Sequence, residues 1–201
     1  MGGTFDPIHH AHLIVAEEVR AVLKRDKITF MPAGDPPHKP GRVQIDKQHR
    51  LMMVQLAIAS NPHFLISRIE IDQPGPSYLV NTLRRLRQAG GKELELSFII
   101  GGDSLEQFPT WYHPKGILTQ LDHLIVVRRP GYIENIEYNK KLEEQLPGIT
   151  QRLLTVKVPQ MEISSTDIRR RVQAGLPIKY QVPEAVEAYI KEHGLYSTKT
   201  P

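Results

Sequence analysis

The strongest constraint on the fold is a regular alternation of short apolar runs with stretches whose apolar residues recur at helical spacing. Leu13, Ala16, Val19 and Leu23 lie three or four apart, which predicts a helix. The run at residues 28–31 then reads as a short buried strand. A second helix is expected through Leu51, Val54 and Ile58, followed by extended chain at 64–71, a turn at 73–76 and a third helix at about 77–88. Residues 94–100 form the clearest strand, ending at Gly101-Gly102-Asp103, and residues 123–127 form another, ending at Arg128-Arg129-Pro130-Gly131. Residues 153–158 read as a last strand, 164–174 as a helix, and 183–193 as a closing helix stopped by Gly194. The stretch 132–148 is polar and charged and reads as a surface helix with loops. This rhythm predicts the α/β class: a Rossmann-like, doubly wound parallel sheet with helices on both faces. Ligands then bind beyond the carboxyl ends of the strands.

A length of 201 residues suits one domain, and no linker, repeat or low-complexity tract divides it, so a single domain over 1–201 is expected. Hydrophobic residues make up 40% and charged residues 24%, values that exclude a disordered or fibrous chain. No apolar run approaches the roughly 20 residues of a membrane helix, and no basic-then-apolar leader opens the chain. A cytoplasmic protein without membrane attachment is therefore expected. Cysteine is absent, which removes disulfides, thiolate zinc sites and cysteine nucleophiles together. The net charge of +4 favours anionic substrates without pointing to nucleic acid. Nothing in the sequence decides for or against a homo-oligomer.

Three segments carry chemistry. Gly2-Gly3-Thr4-Phe5-Asp6-Pro7 precedes the first helix, where glycines admit close backbone approach and a helix N-terminus adds about half a positive charge, a setting suited to phosphate. Taken alone, Gly-Gly is also an ordinary turn. His9 and His12 are three apart and share a helix face, so both could donate to the same phosphate oxygens. Histidines at this spacing, with His10-Ala11-His12 beside them, also suit a metal-dependent hydrolase. The barrel that usually hosts the HxH pair needs about 250 residues. Downstream, Ile163-Ser164-Ser165-Thr166-Asp167-Ile168-Arg169 reads as a capping box with Ser164 and Asp167, and its hydroxyls, N–H groups and Arg169 also make an anion site. The proline-rich loop at 32–46 contains His38, Lys39 and Arg42, and long loops in compact domains tend to be functional.

GGTFDPIHHAH and ISSTDIR together resemble the paired signatures of the nucleotidyltransferase superfamily of Rossmann-like adenylyltransferases. PPHK, GPSY, IIGGDS and WYH between them, with Gly194-Leu195-Tyr196 at the end, narrow the resemblance to the bacterial nicotinate-mononucleotide adenylyltransferases. It implies adenylyl transfer from ATP to nicotinic acid mononucleotide, giving deamido-NAD and pyrophosphate in NAD biosynthesis. By this resemblance His9, His12 and Arg169 are catalytic, contacting the ATP phosphates. Gly2, Gly3, Thr4, Phe5, Gly102, Asp103, Ser164 and Ser165 bind ATP, with Gly102 and Asp103 at the ribose. Lys39, Tyr78, Trp111 and Tyr112 bind the mononucleotide, Trp111 by stacking on the pyridine ring. Mg²⁺ arrives with ATP, with little dedicated protein ligation.

Some positions depart from the family pattern. Ala11 stands where glycine is usual, Leu79 where threonine is frequent and Asn81 where an acid is frequent. The departures at 79 and 81 bear on the choice between acid and amide substrates, so nicotinamide mononucleotide stays open as an alternative, with phosphopantetheine behind it. Relatives also carry an apolar strand just before the Gly-Gly, where only Met1 stands here. The expectation is a start downstream of the natural one and a shortened first strand, because a parallel sheet without that strand leaves neighbouring backbone groups unpaired. RNA binding through the loop around Lys39 is a further rival, but no aromatic residue is interleaved there. A steep salt dependence of RNA affinity would mark it.

Overall fold

The computed structural model describes residues 1–36, 45–91, 93–128 and 136–197. The chain divides into two compact units, one comprising Gly2–Pro76 with Met161–Pro201, the other Ser77–Gln160 with Met1.

The discontinuous unit is built on a three-stranded parallel sheet of β1 (Gly2–Gly3), β2 (Ile28–Pro32) and β3 (Phe64–Ile66). Gly2 pairs with Met31 and Gly3 with Pro32, while Ile28, Thr29 and Phe30 pair with Phe64, Leu65 and Ile66. The first strand is thus two residues long. The connection from β1 to β2 is α1 (His10–Val22), which buries Ala16 and Val19 at a spacing of three. α2 (Lys47–Ile58) joins β2 to β3, with Asp46 capping it by accepting from the Gln48 N–H at 2.7 Å. Only residues 64–66 of the expected extended stretch enter the ladder, because Ile69–Ile71 turns away.

The continuous unit opens with α3 (Leu79–Gly90), which ends at Gly91 with φ +72°, the left-handed conformation glycine accepts most readily. Its parallel sheet consists of β4 (Ser97–Gly101), β5 (His123–Arg128) and β6 (Leu153–Lys157) in that order. β4 starts three residues later than its apolar pattern suggests. The Leu96 N–H donates to the Asp122 carboxylate at 2.7 Å instead, and Arg87 grips the same carboxylate. Between β4 and β5 lie α4 (Gly102–Gln107), a 3-10 turn (Phe108–Thr110) and α5 (Pro114–Leu118). Between β5 and β6 lie α6 (Ile136–Gln145) and α7 (Ile149–Arg152). The stretch read as a bland surface helix buries Leu142 and Leu146, and Ile149 beyond it, and Tyr138 donates to the Leu105 carbonyl.

Returning to the first unit, α8 (Ser165–Gln173) and α9 (Glu184–Glu192) complete it, α9 packing on α2. Both sheets are parallel and flanked by helices, as the alternation predicts.

Candidate active site

The turn from β1 into α1 is held from several sides. Gly2 and Gly3 form β1, and Thr4 and Phe5 follow it. Phe5 adopts φ +51° and is buried, its ring against His12 at 5.1 Å and Phe30 at 5.9 Å. A Cβ on Gly3 would lie 2.8 Å from that ring, closer than carbon atoms approach without displacement, so the second glycine is required by Phe5. The Phe5 side chain is core, and what it could offer a nucleotide is backbone. The Thr4 carbonyl accepts from Arg50 at 2.7 Å, and a second nitrogen of the same guanidinium donates to the Gly34 carbonyl at 2.8 Å. Arg50 therefore ties the ends of β1 and β2 together.

The downstream motif meets the same turn. Arg169 on α8 donates to the Asp6 carbonyl at 2.7 Å, and Ser165 donates to the Pro7 carbonyl at 2.8 Å. The C=O and N–H of a trans peptide point in opposite directions. Engaging the Thr4 and Pro7 carbonyls from behind therefore turns the Phe5 and Ile8 N–H groups the other way. Ser164 caps α8 by accepting from the Asp167 N–H at 3.1 Å, while Asp167 pairs with Arg170. The capping box is thus observed in its serine half.

His9 caps α1 in extended backbone, φ −149° and ψ 170°. Its ring stacks on that of His12 with centroids 3.7 Å apart. The His9 N–H donates to His12 Nδ1 at 3.2 Å, and the His12 N–H donates to the His9 carbonyl at 3.0 Å. An Nδ1 that accepts assigns the His12 proton to Nε2, making that nitrogen a donor. Burial, reinforced by nearby His10, lowers the His9 pKa to about 4, so His9 is neutral at physiological pH. His9 thus adds no charge at the helix start, and Arg50 and Arg169 are the cations bonded to the turn's carbonyls.

In the continuous unit, Gly102 and exposed Asp103 sit where β4 passes into α4, at the carboxyl end of a parallel strand. Tyr78 caps α3, and its ring lies 4.3 Å from that of half-exposed Tyr112. Trp111 rests on Phe108 at 5.3 Å. His113 holds the left-handed conformation, φ +56°, and its Nδ1 accepts from the Gly116 N–H at 3.0 Å, which starts α5 just beyond the aromatic pair. Lys39 lies outside the described residues.

Asp6, Arg50 and Tyr196 were not singled out from the sequence. Asp6 is 3% exposed, and its Oδ1 accepts from the Tyr196 hydroxyl at 2.7 Å. The signal for Arg50 was a charge on the same helix face as Leu51, Val54 and Ile58. For Tyr196 it was a place in the closing Gly-Leu-Tyr. Among the described residues no group of three or more His, Asp or Glu side chains could hold a metal ion, and no helix is long and apolar enough to cross a membrane.

Residues 1–171 match the cytidylyltransferase-like family. The chain is 47% identical, over 98% of its length and 96% of the relative's, to a protein of Roseiflexus sp. strain RS-1 named probable nicotinate-nucleotide adenylyltransferase. It is 47% identical to a protein of the same name from Thermomicrobium roseum, covering 98% of this chain and 90% of that one. Among solved structures, nicotinic acid mononucleotide adenylyltransferase of Plasmodium falciparum complexed with NaAD superposes with a TM-score of 0.75 at 18% identity. The match covers 97% of this chain and 94% of that one, a likeness of fold. With a family match over most of its length and near-full-length relatives at 47% identity, the chain belongs to the cytidylyltransferase-like family, among its nicotinate-nucleotide adenylyltransferases.

Proposed function

We propose that this protein transfers the adenylyl group of ATP to nicotinic acid mononucleotide, forming deamido-NAD and releasing pyrophosphate. The observation that carries the reading is the union of two motifs far apart in the chain. Arg169 and Ser165 reach the carbonyls of Asp6 and Pro7, which brings the glycine-rich turn and the serine-rich helix start together and supports a shared role in handling phosphate. Relatives bearing the corresponding name at 47% identity support the substrate assignment.

In this mechanism the 5′-phosphate of the mononucleotide attacks the α-phosphorus of ATP in line, and the bond to the departing pyrophosphate breaks. A phosphate dianion is already nucleophilic, so the protein supplies positioning and charge stabilisation rather than a general base. His12 Nε2 and the turned-out N–H groups of residues 5 and 8 donate to phosphate oxygens. Arg169, Ser164 and Ser165 meet the triphosphate, and Gly102 and Asp103 the ribose. Trp111, Tyr78 and Tyr112 receive the pyridine ring, with Lys39 at its phosphate. Magnesium belongs to the substrate, MgATP, since the donors gathered at the turn are N–H and hydroxyl groups rather than carboxylates. Asp6, the acid within the turn, is engaged by Tyr196 and Arg169.

The test incubates the protein with MgATP and either nicotinic acid mononucleotide or nicotinamide mononucleotide, following dinucleotide and pyrophosphate. The acid is expected to react in preference to the amide. His12→Ala is expected to lower turnover by about 10²–10³-fold, the usual cost of losing one oriented donor to a developing charge. Absence of product from both mononucleotides in folded wild-type protein would refute the reading.

A further inference from the structure

Asp6 presents a physical puzzle. A carboxylate in a phosphate-handling turn repels the substrate the turn is built for, and burying one is unfavourable unless donors compensate. Here the acid is 3% exposed, and its two oxygens face different partners. Oδ1 accepts from the Tyr196 hydroxyl at 2.7 Å, and Oδ2 lies 3.9 Å from the Arg169 guanidinium, which also donates to the Asp6 carbonyl.

Delivering that hydroxyl strains the backbone. Gly194 has φ +59° and Tyr196 φ +64°, the latter in a region side-chain-bearing residues rarely adopt. The Leu195 N–H closes back onto the Ile190 carbonyl of α9 at 3.0 Å, and Tyr196 is 7% exposed. Packing alone would be served by a phenyl ring. The hydroxyl is the part that requires this aim, and burial together with the facing carboxylate pushes its pKa well above the ordinary value for tyrosine, so it stays a donor.

We propose that Tyr196 is a positioning residue for adenylyl transfer: its hydroxyl fixes the Asp6 carboxylate, which in turn fixes Arg169 and the phosphate-handling turn. This rests on the function proposed above. Arg169 pivots on Asp6. Its Nη1 is held by the Asp6 carbonyl and its Nη2 is 3.4 Å from the Thr166 hydroxyl, while its Nε has no hydrogen-bond partner among the described residues. An acid free to rotate would draw the guanidinium toward itself. An acid pinned at Oδ1 leaves Arg169 on the carbonyl, with the remaining N–H groups of Nη1 and Nη2 for phosphate.

The experiment compares Tyr196→Phe, Asp6→Asn and the double variant with wild type in steady-state kinetics, well below each protein's measured Tm. Tyr196→Phe is expected to lower kcat about tenfold, the factor that corresponds to ~1.4 kcal/mol, with KM for the mononucleotide unchanged within about twofold. Because the hydroxyl acts through Asp6, the double variant is expected to be no slower than Asp6→Asn alone. A Tyr196→Phe protein with lowered Tm and wild-type kcat would overturn the proposal, leaving a merely structural tyrosine. Multiplicative losses in the double variant would overturn it too. Should Tyr196→Phe not fold, Asp6→Asn with wild-type kcat would suffice to overturn it. Wild-type protein making no dinucleotide would refute the function itself, a result distinct from any of these.

Discussion

At the scale of single residues, the turn between β1 and α1 is held by side chains that act on carbonyls. Arg50, Ser165 and Arg169 each take a backbone oxygen of residues 4–7, and these bonds decide which way the intervening N–H groups face. His9 adds a charge state that burial enforces, and this has a measurable consequence. In the unfolded chain its imidazole takes up a proton as pH falls past 6.5, whereas in the folded protein it stays neutral down to about 4. Between these values the unfolded state binds more protons, so stability is full above pH 6.5 and declines as pH falls, by up to about 1.4 kcal/mol per unit. Urea unfolding of wild type and His9→Asn at pH 7 and pH 5 checks this. Wild type is expected to lose about 2 kcal/mol more than the variant over that interval, and parallel losses would show that His9 is not the group responsible.

The larger elements were legible in the sequence because their periodicity comes from burial, the force that also shapes them. α1, α2, β2 and β5 fall where the apolar spacing puts them. What lies between β4 and β5 was not legible. α4, the 3-10 turn and α5 are too short to display a helical period, and they are shaped by local bonds instead: a glycine entry, prolines at 109 and 114, and the His113 imidazole capping Gly116. The site divides in the same way. His9, His12, Ser165 and Arg169 lie on motifs legible in the sequence, and the structure gathers them around one turn. Asp6 and Arg50 could not be assigned roles, because their importance lies in partners 190 and 46 residues away. The α5 start offers an element-scale test. A methyl on Gly116 would collide with the His113 ring, so Gly116→Ala is expected to displace His113 and with it the neighbouring Tyr112. KM for the mononucleotide should rise about tenfold while KM for ATP changes less than twofold, a tenfold change being ~1.4 kcal/mol. Equal changes in both constants would show that this helix start serves the fold generally rather than the aromatic pair.

For the molecule as a whole, ligand binding and stability are linked. A nucleotide bound by the folded chain and not by the unfolded one raises stability by about 2.7 kcal/mol at a hundred times its Kd. For a chain of this length that is a Tm increase of roughly 5–10 °C. MgATP is expected to produce it in a thermal melt, and Arg169→Ala should show less than half the increase at the same nucleotide concentration. A full shift in that variant would remove Arg169 from the nucleotide's contacts.

The unit bearing the turn between β1 and α1 is drawn from two stretches of chain, with residues 77–160 of the other unit inserted between them. On the ribosome, residues 4–7 emerge well before Ser165, Arg169 and Tyr196, which supply their later hydrogen bonds. The inserted unit can collapse on its own sheet during that delay, while the turn cannot. The bonds from Ser165 and Arg169 to the carbonyls of residues 7 and 6, and the one from Tyr196 to the Asp6 carboxylate, can therefore form in a nascent chain only after the inserted unit has been made.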